Sequence, residues 1–176
     1  MSWVSQLITA VGRTPLYLDV DWSIIESRIG ITLPSDYKEF CEGFGAGEFS
    51  EFLVVHSSSG GSDSSLVASL DSDRRNIQQY PIVLDLYQPY GLYLPGMEGG
   101  VMEWGTSSQG DAFAWLVDRS ESAELWPVLI REEVGDWVRY DMPMTEFVYR
   151  LLDDQSFDSV GGFGATESGP SFTSFS

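Results

Sequence analysis

The stretch Val101-Met102-Glu103-Trp104-Gly105-Thr106-Ser107-Ser108-Gln109-Gly110-Asp111-Ala112-Phe113-Ala114-Trp115-Leu116-Val117 decides the fold. Two runs rich in aromatic and β-branched residues flank a five-residue break of Ser, Gln, Gly and Asp, the pattern of a β-hairpin. The pattern repeats downstream. Residues 126–131 and 137–140 flank a turn at Val134-Gly135-Asp136, and residues 91–95 read as a short strand upstream. Strands and turns at spacings of about ten residues favour an antiparallel sheet over parallel βαβ units.

Helices surround this meander. Trp3, Leu7, Ile8 and Val11 share one face, with Gly12 as a stop. Asp21 or Ser23 can cap a second helix, with Ser23-x-x-Glu26 as a capping box and Gly30 as its end. A third begins at Pro34, where a missing N–H costs nothing, and Asp36 complements its positive end. Its residues Tyr37, Phe40, Cys41 and Phe44 form a buried stripe, broken by Gly43, Gly45 and Gly47. Residues 49–55 read as a strand, 56–65 as a mobile Ser/Gly loop, and 66–79 as a helix with Arg74 and Arg75 facing water. Met144, Phe147, Val148, Leu151 and Leu152 mark a last helix after Pro143.

The chain has 176 residues, 43% hydrophobic and 14% aromatic, with 27 acidic and 9 basic side chains, a net charge of −18. At roughly 150 residues per domain, this is one domain over 1–154, its first helix an extension, followed by a flexible Gly/Ser/Phe tail over 155–176. The tail's Phe157, Phe163, Phe172 and Phe175 have no period. They read as either an unstructured end or a short docking motif. A −18 chain repels nucleic acid and anionic membranes and suits basic partners, although acidity also serves solubility. One cysteine forbids an internal disulfide and points to an intracellular, cytoplasmic protein. Met1-Ser2-Trp3-Val4 does not open a signal peptide, and no run of ~20 apolar residues offers a membrane span. Few lysines beside many arginines and glycines fit a GC-rich bacterial genome.

Five phrases in order resemble the SUKH superfamily, which includes fungal cell-wall assembly regulators and many bacterial toxin-immunity proteins. They are Trp22-x-x-Ile25-Glu26; Gly30-Ile31-x-Leu33-Pro34-x-Asp36-Tyr37-x-x-Phe40 with Phe44-Gly45-x-Gly47; Trp104-Gly105 with Gly110-Asp111-x-Phe113-x-Trp115; Trp126-Pro127-Val128; and Trp137-x-x-Tyr140-Asp141 leading into Phe147 and Leu151-Leu152. The resemblance spans roughly residues 22–152. It implies an α+β domain, helices packed on one side of a twisted, mainly antiparallel sheet. It also implies a non-enzymatic binding module: an immunity protein that neutralises a toxin, often a nuclease, or a scaffold in cell-wall synthesis signalling.

Chemistry is sparse in the residues themselves. Cys41 and His56 could pair as a dyad, but Cys41 lies on an apolar stripe. One histidine and one cysteine cannot build a soft zinc shell. Gly60-Gly61 and Gly99-Gly100 lack the Lys and Ser/Thr of a phosphate loop. No cofactor or metal is expected. A carboxylate hydrolase could use a pair among Glu98, Glu103 and Asp111. Gly110-Asp111 is either a ligand clamp or a turn, and Trp104 and Trp115 either line a groove or pack in the core. Inhibition of a basic enzyme by occlusion would use exposed acids and an aromatic anchor. The candidates are Glu98, Glu103, Asp111 and Asp118 beside the meander, Glu132 and Glu133 at the second hairpin, and Trp104 as the aromatic.

Overall fold

The computed structural model describes residues 1–59, 65–159, 165 and 168–175. Five α-helices and seven strands follow in chain order: α1 (Trp3–Ala10), α2 (Trp22–Ile29), α3 (Ser35–Phe44), β1 (Gly47–Phe49), β2 (Leu53–Val55), α4 (Leu66–Gln79), β3 (Gly99–Ser107), β4 (Ala112–Asp118), β5 (Val128–Arg131), β6 (Val138–Tyr140), α5 (Met144–Asp153) and β7 (Phe172–Ser174). Two 3-10 segments, Pro81–Tyr87 and Ala123–Leu125, join them. The strands make one antiparallel sheet in the order β6-β5-β4-β3-β2-β1-β7. This is the expected α+β architecture.

Helix ends follow from local chemistry. The Ser2 hydroxyl accepts from the Ser5 N–H at 3.1 Å, the Asp21 carboxylate from Ile24 at 3.3 Å, and the Ser65 hydroxyl from Ala68 at 3.2 Å. Asp21 is thus the cap of α2. Ser23 donates to Asp21 instead, and Glu26 accepts from the Leu33 N–H and pairs with Lys38, so the expected capping box does not form. Asp36 sits in the first turn of α3 as expected and does more besides. One carboxylate oxygen accepts from the Tyr37 N–H at 2.8 Å; the other accepts from the Thr145 N–H at 3.0 Å and the Thr145 hydroxyl at 2.8 Å. It caps α5, whose own N-cap residue, Pro143, offers no side-chain acceptor. Glu124 does the same for α3, accepting from the N–H and hydroxyl of Ser35 at 2.8 and 2.9 Å. Both caps tie helices to distant parts of the chain.

Both sheet faces are covered. On the first, Trp104, Phe113 and Trp115 meet Tyr37 and Phe40 of α3 and Phe147 of α5, together with Val4 and Leu7 of α1. On the second, Val101, Ala112, Ala114 and Leu129 lie under Tyr87 and Trp137, with Ile77 of α4 and Val83 packed at the margin. One-sided packing therefore describes α1, α3 and α5. Helix α4 has Leu66 and Leu70 in the first cluster and Ile77 against the second.

Three segments differ from the sequence reading. Residues 49–55 are two strands joined at Ser50 and Glu51, both at positive φ (52° and 54°), with the Phe52 N–H donating to the Phe49 carbonyl at 2.8 Å. This is the mirror-image turn favoured in hairpins, built without glycine. Residues 91–95 contribute only a bridge between Leu92 and Val101. The region read as a flexible tail adds β7 to the sheet edge along β1, with Phe172 5.0 Å from the Phe44 ring and 4.8 Å from Phe49. A Cβ on Gly47 would run into the Phe172 ring and the Thr173 carbonyl, so this glycine lets the strand dock. Phe157 packs on Phe147 and Tyr140, Phe175 is exposed, and Phe163 lies outside the described residues. Residues 60–64 of the expected mobile loop also lie outside them. Its start is built in: His56 and Ser57 are buried, and Ser58 bonds the Tyr37 hydroxyl at 2.8 Å.

Candidate partner-binding face

The seven sequence-selected residues do not form one site. Glu98 and Asp118 sit together where β3 begins and β4 ends, since Gly99 pairs with Asp118. Asp111, Glu132 and Glu133 lie at the other end of the same strands, because Ala112 pairs with Arg131. Seven residues of β4 separate the ends, about 20 Å at 3.3 Å per residue.

Trp104 and Asp111 are buried, and Glu103 is largely withdrawn from water. Trp104 is fully buried, 5.6 Å from the Phe113 ring and 6.2 Å from Trp115. A β-bulge between Glu103 and Gly105 adds it to the strand, and its side chain joins the first-face core. It is a core residue, as is Trp115, not an anchor for a partner. Asp111 is buried at the hairpin turn, accepting from the Ser107 hydroxyl at 2.5 Å while its own N–H donates back to that hydroxyl at 3.1 Å. The turn reading of Gly110-Asp111 is the one observed.

Glu103 points to the second face and sits largely out of water. Burial raises its pKa, opposed by Arg131 and by a hydrogen bond from the Tyr87 hydroxyl. Asp73 of α4 joins this nest; burial first, then the Glu103 charge, pushes its pKa up to about 7.

The carboxylate-pair geometry also fails. Glu103 stands five residues from Glu98 along β3, about 17 Å, and four from Ser107, the residue bonded to Asp111, about 13 Å. Glycoside hydrolysis needs its carboxyls about 5–9.5 Å apart. Cys41 is buried on its stripe, with a thiol pushed up to about 11 by burial, so it holds its proton. Burial pushes His56 the other way, down to about 4. Among the described residues no group of three or more His, Cys, Asp or Glu could hold a metal ion, and no helix is long and apolar enough to cross a membrane.

What remains on the surface is the Glu98–Asp118 end. A groove of about 590 Å³ is lined there by Tyr90, Glu98, Leu116, Asp118, Leu125 and Arg139. A second cleft of about 680 Å³ lies on the other side of the β4–β5 connection, with Glu121 and Trp126 lining both. That connection is held firmly. Arg119 donates to the carbonyls of Met97 at 3.2 Å and Gly30 at 2.9 Å, and the Trp126 indole donates to the Asp118 carbonyl at 3.0 Å. Asp118 is fully exposed, and the Ser120 hydroxyl and N–H hold its carboxyl below the usual range. Arg139, the groove's one cation, pairs with Asp141 at 2.7 Å. The groove thus presents Glu98, Asp118 and Glu121 beside exposed Leu125 and Tyr90. At the opposite end, Glu132 and Glu133 are exposed, and Arg131 donates to both of their backbone carbonyls.

The sequence profile of the SMI1-KNR4 cell-wall family, a SUKH family, matches residues 19–147. The chain belongs to that family. The match runs from just before α2 into α5, so α1 and β7 of this SUKH domain lie outside it. No curated protein and no solved structure matches the chain. The Glu98–Asp118 groove and the meander that builds it fall inside the family region. Sequence reasoning found Glu98 and Asp118 but missed Tyr90, Glu121 and Leu125. Tyr90 and Leu125 are single apolar residues in turn-rich segments and Glu121 is one acid among 27, and neither kind of signal marks a shared groove.

Proposed function

We propose that this SUKH domain is a cytoplasmic, non-enzymatic binding module: an immunity protein that neutralises a basic toxin, such as a nuclease, by covering its active site. The observation that carries the reading is the groove in which Glu98, Asp118 and Glu121 face out while its single arginine is paired. An enzyme that acts on phosphate-bearing substrates presents Lys and Arg, and an acidic face imitates that substrate's charge. The −18 net charge accelerates encounter with such a partner.

The test takes a basic nuclease domain from a gene adjoining this chain's own; a neighbourhood that encodes no such domain would count against the reading. That domain's association rate should fall at least about tenfold between low and physiological salt. Glu98→Gln with Asp118→Asn should flatten that dependence. A rate indifferent to salt would remove charge mimicry.

The family description favours one further reading, a scaffold in cell-wall synthesis. Under it the C-terminal segment carries recruitment. Deleting residues 155–176 would strip β7 from the sheet and confound the assay. Phe175→Ala, at an exposed position, should weaken recruitment under this reading and leave toxin neutralisation intact under the first.

A further inference from the structure

The 3-10 segment Pro81–Tyr87 is anchored on one side. Inward, Tyr87 is buried and stacks at 6.4 Å and 23° on Trp137, Val83 packs beside it, and the Trp137 indole donates to the Leu86 carbonyl at 2.9 Å. Around the rest of the segment Ile82 (75% exposed), Leu84 and Leu86 leave a third of a turn apart and each reaches water, with Tyr80 and Tyr90 exposed at its ends. Five exposed apolar side chains within residues 80–90, on a braced backbone, make this segment an apolar ledge that a monomer gains nothing by exposing. Tyr90 also lines the acidic groove, so ledge and groove share a residue and make one surface.

We infer that this ledge is the apolar anchor site for a basic protein partner, with the groove as its acidic rim; the inference rests on the immunity reading for the partner's identity. Charge decides the occupant. Residues 78–90 carry no cation and one acid, Asp85. A second copy of the chain would bring −18 against −18 and set the same acidic rim against itself. A cationic domain with an aliphatic or aromatic projection satisfies both parts. Affinity at such interfaces comes from a few desolvated apolar anchors, while the charged rim chiefly sets the encounter rate.

The variant Ile82→Ala with Leu84→Ala leaves the charge unchanged and touches only exposed side chains, so its melting temperature should match the native chain's. Against a basic nuclease domain from an adjoining gene, it should dissociate at least about tenfold faster with an unchanged salt dependence. Binding within twofold of native would overturn the ledge and leave the immunity reading standing. If the native chain does not bind that domain, the immunity reading fails, and a second arm judges the ledge. A photo-crosslinking benzoylphenylalanine replaces Ile82 in the source cell. An adduct with one basic protein, lost on Leu84→Asp and reproduced as direct binding by that protein re-expressed, supports the ledge. An adduct with a second copy, or none, overturns it.

Discussion

Glu103 and Trp104 are neighbours in one strand, yet they belong to opposite faces of the sheet and to opposite kinds of interior. The Trp104 face is apolar and rich in aromatics: Tyr37 meets Trp115 edge-on at 5.2 Å, and Phe113 meets Phe147 at 6.2 Å. The Glu103 face is a thin apolar layer of Ala112, Ala114, Val101 and Leu129 with a polar nest of Glu103, Asp73, Tyr87 and Arg131 beside it. The first face draws its stability from area removed from water. The second gives some of that back in carboxyls that burial makes reluctant to ionise. The sharpest way to break this contrast is to alter the two neighbours in turn. Trp104→Ala should cost about 3–5 kcal/mol of unfolding free energy. Glu103→Gln, which keeps the shape and removes a charge that burial disfavours at the expense of its attraction to Arg131, should cost far less than that at pH 8. Urea melts of both variants decide it, and the opposite ranking would end the distinction.

The polar nest should also make the second face legible in pH. Asp73, held near 7 in the fold, keeps a proton that the unfolded chain releases near 3.8, so its contribution weakens the fold as pH rises from about 4 to about 7. His56, held near 4 against an ordinary 6.5, does the reverse: the unfolded chain binds the extra proton, and stability is lost as pH falls from 6.5 to 4. The two slopes oppose each other over the shared range, and each is at most ~1.4 kcal/mol per pH unit. Asp73→Asn should remove the falling slope. Its stability relative to the native chain should therefore climb steadily from pH 4 to 7 and level off above. A constant difference across that range would show that Asp73 is not held protonated in the nest.

The same pair of neighbours shows what could be read from sequence. Period two in a strand says that Glu103 and Trp104 point to opposite faces, and the meander, α3 and α5 follow from equally strong periods. Nothing in that pattern says whether the second face is covered. Its cover is the 3-10 segment Pro81–Tyr87, too short and too evenly apolar to show a helical period. The expectation of an exposed Glu103 failed on that element, while Trp104 is buried on the other face, in the core shared with α3 and α5. The turn at Ser50 and Glu51 was hidden for a related reason, because its two positive-φ residues are not the Asn and Gly that announce such turns. Strand β7 was hidden by composition. Three residues in a Gly/Ser-rich segment carry no alternation, and they pair only because Gly47, far away in sequence, leaves room.

Asp36 is the exception within the apolar face, and it tests the contrast from the other side. Burial raises its pKa, yet its two oxygens take three donors, from Tyr37 and Thr145. A polar group that is fully bonded should behave as part of the packing, unlike the under-partnered Asp73, whose Oδ2 has no hydrogen-bond partner among the described residues. Asp36→Ala should therefore cost about 1–2 kcal/mol, the range of a lost helix cap, with hydrogen exchange quickening first in the opening turn of α5. Asp36→Asn keeps one carbonyl acceptor and should cost less than half as much. Equal costs for the two would mean that charge rather than capping holds α3 to α5. A gain in stability from either would place Asp36 with Asp73 as a buried carboxyl the fold merely tolerates.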